Sequence, residues 1–244
     1  MADTSQRTAV ITGAGRGLGR ATAERLARDS WNVIVLDIDA DNARATAEAI
    51  GGVGYGCDVT DPQSLHAVAA QVERCDALVN NAGIWRFQPL LELAVDDVRA
   101  VLDVNVLGIV LASQAFVPKM IEGGGGAVVN LSSGAAWTNS PGVGIYPASK
   151  AAVESLTKQM AIEWGPHGVR ANAVGPGLIV TEGTEKNYQG ERRAQRGKGV
   201  PLGRVGDPAD IADVIAFLCS DDSRYVSGQV MYVDGGVTAG RGSL

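Results

Sequence analysis

The sequence predicts an α/β fold, a doubly wound parallel seven-stranded sheet with helices on both faces, and three observations favour it. Strand-like and helix-like stretches alternate along the whole chain. The strand-like stretches are almost continuously apolar, as in parallel strands that are buried on both faces. The first strand runs through a glycine-rich turn into a helix, a connection that implies a parallel crossover. No repeat or change of composition divides the chain, so residues 1–244 are predicted to form one domain.

The composition is that of an ordinary soluble protein and disfavours several kinds of partner. The chain of 244 residues carries a net charge of −6, which argues against binding to nucleic acid or acidic membranes. The N-terminus has no apolar leader, and no apolar run approaches the ~20 residues that span a bilayer. Three cysteines and two histidines show no metal-ligand spacing. We therefore expect a cytoplasmic protein with no metal site and no nucleic-acid or membrane partner.

The first half of the chain is predicted to contain four strands separated by helices. Asp61 and Pro62 suit the N-cap and first turn of the third helix. A long helix follows the fourth strand, from about 96 to 119. The predicted strands are 8–12, 32–37, 54–59 and 77–80, and the helices between them end near 28, span 40–50 and begin at 62.

The second half is predicted to contain three more strands. The glycines at 123–126 end the long helix. The segment 181–200 is polar and charged, and it is expected to form a flexible or partly helical substrate loop. The predicted strands are 127–132, 169–174 and 228–234, with helices from 146 to about 164 and from 208 to about 220.

Polar or glycine-rich segments follow four of these strands. They are the turn at 13–19, Asn80 to Gly83, Ser133, and Gly175 to Gly177. In open parallel sheets, ligands bind outside the carboxyl ends of the strands. The four segments are therefore expected to meet at one edge and to form the site.

The glycine-rich turn predicts a Rossmann-type dinucleotide site. The turn reads Thr12-Gly13-x-x-x-Gly17-x-Gly19, not a literal G-x-G-x-x-G, but its glycines equally allow a pyrophosphate to approach the backbone and the N-terminus of a helix. Asp37 ends the second strand, where a carboxylate accepts from ribose hydroxyls and repels a 2′-phosphate. NAD is therefore preferred over NADP. Arg16 is a basic residue that could meet a 2′-phosphate, or a solvated loop residue.

Ser133, Tyr146 and Lys150 form a candidate catalytic group. Tyr146 lies 13 residues after Ser133 and four before Lys150, which places the phenol and the ammonium on one helix face. A nearby cation is expected to lower the Tyr146 pKa from about 10 by about three units. Tyr146 would then be a general acid or base, with Ser133 donating to the same substrate oxygen. The alternative is an exposed helical pair without a function.

These motifs resemble those of the short-chain dehydrogenase/reductase family, in its single-domain form, over essentially the whole chain. Asn80-Asn81-Ala82-Gly83 matches the N-N-A-G signature of the family, and Asn105 matches its helix-borne asparagine. The resemblance implies the catalytic residues Asn105, Ser133, Tyr146 and Lys150, with Asn105 positioning a water that links Lys150 to solvent. The cofactor residues that it implies are Gly13, Arg16, Gly17, Leu18, Gly19, Asp37, Ile38, Asp58, Val59, Asn81, Ala82, Gly83, Tyr146, Lys150, Pro176, Gly177, Ile179 and Thr181.

The implied reaction is hydride transfer between NAD and a secondary alcohol or its ketone, and we expect a small or medium alicyclic or aromatic substrate. The resemblance also implies a homotetramer, with the C-terminal strand at a subunit contact. Two alternatives stay open: an epimerase or enoyl reductase relative on the same fold, and a dinucleotide sensor without activity. The substrate pocket is expected to be apolar, unless its candidate residues pack in the core or at an interface; these are Trp85, Trp137, Leu178 and Tyr188.

Overall fold

The predicted fold class is confirmed in a computed structural model that describes residues 6–240. Its single sheet has seven strands in the order β3-β2-β1-β4-β5-β6-β7, and every pairing is parallel. From β1 the chain first adds strands on one side, to β3, and then crosses to the other side of β1, where it adds β4 to β7. The connecting helices therefore cover both faces of the sheet. The strands are β1 Thr8–Thr12, β2 Asn32–Asp37, β3 Val53–Gly56, β4 Ala77–Asn80, β5 Gly126–Leu131, β6 Val169–Pro176 and β7 Val230–Val233.

Two apolar layers hold the helices to the sheet, and successive strand residues point into opposite layers. In β1, Ile11 joins the layer under α1 and α8, whereas Val10 joins the layer that contains Phe116 of α5. Parallel strands buried on both faces have this pattern. The helices are α1 Gly17–Arg28, α2 Ala40–Ile50, α3 Pro62–Ala69, α4 Val95–Leu102, α5 Gly108–Glu122, α6 Tyr146–Trp164, α7 Glu191–Lys198 and α8 Pro208–Cys219.

The long helix predicted from 96 to 119 differs from the expectation in one respect. A wider π-type turn at Asp103–Leu107 separates α4 from α5 and contains Asn105. The stretch Val95–Glu122 is also long and apolar enough to cross a membrane by length and composition. The expectation that no run has this length is therefore wrong for this stretch. About half of it is buried inside the protein, which is also the property of a core helix.

The two edge strands are shorter than predicted. β3 ends at Gly56 and not at 59, because the chain turns at Asp58, whose carboxylate accepts from the backbone of Thr60. β7 begins at Val230 and not at 228. The substrate loop, 181–200, is partly helical, as expected: it contains a short 3₁₀ turn at Glu185–Tyr188 and then α7.

Candidate active site

The turn between β1 and α1 packs so closely that two of its glycines have no room for a side chain. A methyl group at Gly19 would lie 2.3 Å from the carbonyl oxygen of Gly13, and one at Gly13 would lie 2.8 Å from the Cα of Ala82. Gly13 also has φ +62°, which disfavours other residues. The sequence therefore needs glycine here for the chain to turn from strand to helix.

Asn81 and Thr12 fasten this turn to the end of β4. The Asn81 Nδ2 donates to the carbonyl oxygens of Thr12 (3.0 Å) and Gly13 (2.8 Å). The Thr12 Oγ1 accepts from the backbone N–H groups of Asn81 and Ala82, both at 3.1 Å. The side chain of Asn81 thus holds the turn in place, and it reaches a ligand only through that turn.

Asp37 lies beside the turn at the end of β2. Its Oδ2 accepts from the N–H of Gly15 at 2.9 Å, and its Oδ1 accepts from that of Asp39 at 3.0 Å. Gly15 is missing from the predicted site, although a methyl group there would lie 2.9 Å from the Asp37 Oδ2. The sequence did indicate Gly15: read from this residue, the G-x-G-x-x-G pattern fails only at its third glycine, where Arg20 stands. Ile38 and Arg16 are exposed on the same side.

The remaining predicted cofactor residues divide between the rim and the core. Thr181 faces the turn, with its Cβ 3.7 Å from a methyl group placed on Gly17. Asp58 Oδ1 accepts from the N–H and the Oγ1 of Thr60, as a cap of its own turn. Gly177 packs against Asp234: a methyl group placed on Gly177 would lie 2.6 Å from the Asp234 Cα. Val59 and Ile179 are buried, Leu18 packs against the core, and Pro176 ends β6.

A dinucleotide fits this edge of the sheet. The glycine turn presents bare backbone at the first turn of α1, where N–H groups have no partner within the helix. Asp37 stands on one side and Thr181 on the other. The turn therefore supplies backbone N–H groups for a pyrophosphate, of which that of Gly17 is held by Glu182, and the Asp37 carboxylate lies beside it for a ribose.

Tyr146, Lys150 and Ser133 meet at the same edge, beyond β5. Pro147 begins α6 in its first turn, so the helix starts at Tyr146 and carries Lys150 one turn later. The Lys150 Nζ lies 5.8 Å from the centre of the Tyr146 ring and donates to the carbonyl oxygen of Leu131 at 2.7 Å. The Ser133 side chain lies beside the phenol, and its Oγ accepts from the Ala135 N–H at 3.1 Å.

Burial dominates the acid–base properties of this group. It raises the Tyr146 pKa, and the hydrogen bond with Ser133 lowers it by less. Burial also lowers the Lys150 pKa to about 8. The expectation that Lys150 lowers the Tyr146 pKa is therefore wrong for the protein alone, because the desolvation of the phenolate outweighs the favourable contacts.

Asn105 is fully buried in the π-type turn, and its side chain is engaged by protein groups. Its Oδ1 accepts from the N–H of Ile84 at 2.8 Å, and its Nδ2 donates to the Ile84 carbonyl oxygen at 2.9 Å. A methyl group on Gly83 would lie 3.3 Å from this Oδ1 and 3.4 Å from the Lys150 Nζ. Asn105 is thus close to Lys150, and its side chain anchors the strand-end segment at Ile84. The water that the family resemblance assigns to Asn105 stays a prediction.

Ser149 is a residue of this group that the sequence analysis missed. It is fully buried; its Oγ accepts from the Asn105 Nδ2 at 3.1 Å and donates to the carbonyl oxygen of Tyr146 at 2.7 Å. This pair of bonds joins the first turn of α6 to the π-type turn. Its only signal was its place beside Lys150 on a helix.

An aromatic wall lies beside Tyr146, formed by Trp85 and Phe87. The Phe87 ring meets the Tyr146 ring edge-on at 6.0 Å, and Trp85 stacks on Phe87 at 6.3 Å. The sequence analysis named Trp85 but not Phe87. The other three candidates have separate contacts: Trp137 packs near Tyr232, Tyr188 is buried under Arg196, and Leu178 lines a cavity of about 90 Å³ with Val200 and Leu202.

Comparison with known proteins identifies the family of the chain. A family model described as enoyl-(acyl carrier protein) reductase matches residues 13–238. D-threitol dehydrogenase of Mycolicibacterium smegmatis is 38% identical over 95% of this chain and 93% of its own. The 3-oxoacyl-[acyl-carrier-protein] reductase FabG of Thermotoga maritima is 39% identical over 95% and 97%.

A solved structure extends the comparison to the cofactor. A putative NAD(P)-dependent gluconate 5-dehydrogenase from Beutenbergia cavernae, with bound NADP at low occupancy, superposes with a TM-score of 0.89. It is 37% identical, and the match covers 97% of this chain and 98% of that chain. With its parallel sheet, its glycine turn and its Ser133, Tyr146 and Lys150, the chain belongs to the short-chain dehydrogenase/reductase family of oxidoreductases.

Proposed function

We propose that the protein is an NAD(H)-dependent oxidoreductase that interconverts a secondary alcohol and a ketone, with Tyr146 as general acid and base. The observation that supports this most is the meeting of Tyr146, Ser133 and Lys150 at the edge where the nucleotide turn lies. One short segment lies between the nucleotide turn and the catalytic group: Ala82 is next to Gly13, and Gly83 is next to Lys150.

The residues have separate tasks in this proposal. When bound, the dinucleotide supplies the hydride acceptor or donor. Asp37 would hold its ribose, the backbone of Gly17 to Gly19 its pyrophosphate, and Thr181 and Gly177 its nicotinamide end. Ser133 would donate a hydrogen bond to the substrate oxygen, and Lys150 would hold ribose hydroxyls of the dinucleotide.

Tyr146 moves the proton. In reduction, the neutral phenol gives its proton to the carbonyl oxygen of the substrate; in oxidation, the phenolate takes it from the alcohol. Because burial raises the Tyr146 pKa, the phenolate form increases only at alkaline pH. The oxidation rate is therefore expected to rise with pH into the alkaline range, whereas reduction needs no such rise.

Replacement of Tyr146 tests the proposal. Tyr146→Phe removes the proton donor and keeps the ring, so the turnover number is expected to fall by at least ~10²-fold. Tyr225→Phe is the matched control, since Tyr225 is fully exposed. Near-full activity of Tyr146→Phe would contradict the proposal. Tight NAD binding by the wild-type chain without turnover of any secondary alcohol in a broad panel would instead favour the sensor.

The preference for NAD depends on Asp37. Its carboxylate would lie where NADP carries a 2′-phosphate, and the two negative charges repel. The NADP in the Beutenbergia protein and the exposed Arg16 here favour the opposite preference. Calorimetric titration with NAD and with NADP tests the preference. Wild type should bind NAD at least tenfold more tightly than NADP, by about 1.4 kcal/mol. Asp37→Ser should reduce this ratio of affinities. Equal affinities in the wild-type chain would show that the preference is wrong.

The aromatic wall favours a substrate that carries a ring. Trp85 and Phe87 offer apolar faces beside Tyr146, which suit an alicyclic or aromatic alcohol. A polyol is the second candidate, supported by the threitol dehydrogenase relative. Initial rates on ring-bearing alcohols, threitol, sorbitol and an enoyl thioester separate the classes. Phe87→Ala should raise the KM for a ring-bearing substrate several-fold and leave that for a polyol unchanged.

The proposed setting is a cytoplasmic homotetramer. Leu107 and Ile121 of the long helix region and Ile162 of α6 are exposed apolar side chains, as expected at a subunit contact. The chain has a mass of 25.2 kDa. Sedimentation equilibrium should give about four times this mass, and a monomer would contradict the assembly.

A further inference from the structure

The start of the substrate loop contacts the nucleotide turn through Glu182. The Glu182 Oε2 accepts from the backbone N–H of Gly17 at 2.9 Å, and its Oε1 lies 3.5 Å from the Arg20 Nη1. Gly17 is the first residue of α1, and Arg16, which precedes it, provides no side-chain cap. A carboxylate from 165 residues away in the sequence therefore caps this helix.

Glu182 uses the same donor that a pyrophosphate needs. The N–H groups in the first turn of a helix lack partners within the helix and favour an anion. The Gly17 N–H points at the Glu182 carboxylate, and it can donate either to this carboxylate or to a phosphate oxygen. The two anions would also repel each other if both were present. A cleft of about 330 Å³ opens at this point, and Glu182 lines it together with Arg20, Thr181 and Glu185.

Arg20 keeps its place without Glu182. Its Nη2 donates to the carbonyl oxygen of Gly15 at 3.0 Å, so the guanidinium is held under the turn by a second bond. When the carboxylate leaves, this positive charge is free to face another anion. The site therefore contains both a removable anion and a fixed cation for the anion that replaces it.

We infer that Glu182 is an internal competitor of the cofactor: its carboxylate must leave the Gly17 N–H before the pyrophosphate binds there. The competition lowers the affinity of the protein for the dinucleotide. It also couples cofactor binding to a movement of the substrate loop, since Thr181 and Gly183 adjoin Glu182, and Gly183 packs beside the Trp85 indole. The inference rests on the proposed function, because it requires a dinucleotide at this turn.

Calorimetric titration with ADP and with adenosine tests the inference without any assay of activity. ADP carries the pyrophosphate, and adenosine does not. Glu182→Gln removes the charge, and Glu182→Ala removes the contact. Both are expected to bind ADP about tenfold more tightly than wild type, as fits the loss of one charge-assisted hydrogen bond, and to bind adenosine as wild type does. Glu185→Gln is the matched control, because Glu185 lines the same cleft without a bond to the turn.

The outcomes separate this inference from the proposed function. Unchanged or weaker ADP binding by both Glu182 variants would overturn the inference and leave the proposed function intact. Equal tightening by Glu185→Gln would also overturn it, since the effect would then be one of general charge. A wild-type chain that binds neither ADP nor NAD would overturn both.

Discussion

The nucleotide turn and the substrate loop meet at Glu182, and they are held in different ways. The turn is fixed by side chains of other elements: Asn81 bonds to Thr12 and Gly13, and Asp37 bonds to Gly15. The loop is fixed at its ends: Thr181 bonds to Thr184 at its start, and the N–H of Leu202 donates to Gly235 just after it. Between these ends, α7 exposes most of its charged side chains.

The glycines of the two regions show the same difference. In the turn, side chains at Gly13 and Gly19 would collide with backbone atoms, whereas a methyl group at Gly199 of the loop would meet only the Arg196 carbonyl oxygen, at 3.5 Å. Backbone cannot yield to a side chain, so the turn admits few sequences that keep its shape. The loop admits many, and it is therefore the region in which relatives with one fold are free to differ in substrate.

The largest expected effect comes from placing the same methyl group in each region. Gly19→Ala should lower the free energy of unfolding by several kcal/mol, which is more than the roughly 1–3 kcal/mol usual when an extra methylene is forced into a packed core. It should also reduce the affinity for NAD at least ~100-fold. Gly199→Ala, at the end of α7, meets only the Arg196 carbonyl oxygen at 3.5 Å and should change neither. Urea denaturation and calorimetric titration measure both. Similar losses in the two variants would refute the contrast.

Lys150 makes the fixed side of the site sensitive to pH. Its pKa is about 8 in the folded chain, against the ordinary 10.5. Between these values the unfolded chain binds more protons, so the Lys150 contribution to stability rises with pH, by up to about 3 kcal/mol. The stability of wild type minus that of Lys150→Met should grow from pH 7.5 to 10.5 in urea titrations.

The difference between the two proteins is the informative quantity in that experiment. Burial raises the pKa of the thiols of Cys57, Cys75 and Cys219, so folded stability falls as the unfolded thiols ionise above about pH 9. Tyr146 acts in the same direction above about pH 10. These groups are present in both proteins and cancel. A difference that stays constant with pH would show that Lys150 is not desolvated.

Ser149 should have a smaller effect, confined to the catalytic group. Ser149→Ala removes the bonds to Asn105 and Tyr146, at about 1–2 kcal/mol of stability, and should lower kcat about tenfold while KM for the dinucleotide stays the same. The exposed Ser155 of the same helix is the control, as Ser155→Ala. If Ser149→Ala lowers stability but leaves kcat unchanged, Ser149 supports the fold and does not position Tyr146.

The smallest effect is expected in the substrate loop. Arg193 pairs with Asp207 at 2.9 Å, and both side chains are about half exposed. Arg193→Ala should change the free energy of unfolding by about 0.5 kcal/mol or less, because solvent screens exposed pairs. A loss above about 1 kcal/mol in the urea titration would mean that the loop is as firmly held as the turn.

The sequence predicted best what depends on local pattern. The strand ends at Thr12, Asp37 and Asn80 could be predicted because apolar runs stop there and polar or glycine-rich residues follow. The start of α6 could be predicted from Tyr146 and Pro147. Both features are determined by residues close together in the sequence, so the local sequence is enough to predict them.

The parts that were missed depend on distant contacts. The π-type turn at Asn105 is set by its bonds to Ile84 and Ser149, which are 21 and 44 residues away. Phe87 gains its position from a packing contact with Tyr146. The direction of the Tyr146 pKa shift follows from burial by several elements, which spacing within one helix cannot show. Each error therefore marks a place where tertiary structure determines the chemistry.

The contact between Gly177 and Asp234 has a consequence for the order in which the protein is made. Residues of the last strand and its following turn, up to Gly235, support the base of the substrate loop through Gly177 and Leu202. On the ribosome these residues emerge after the nucleotide turn, β5 and α6 are already available to fold. A nascent chain is thus expected to complete the substrate side only when synthesis has passed Gly235.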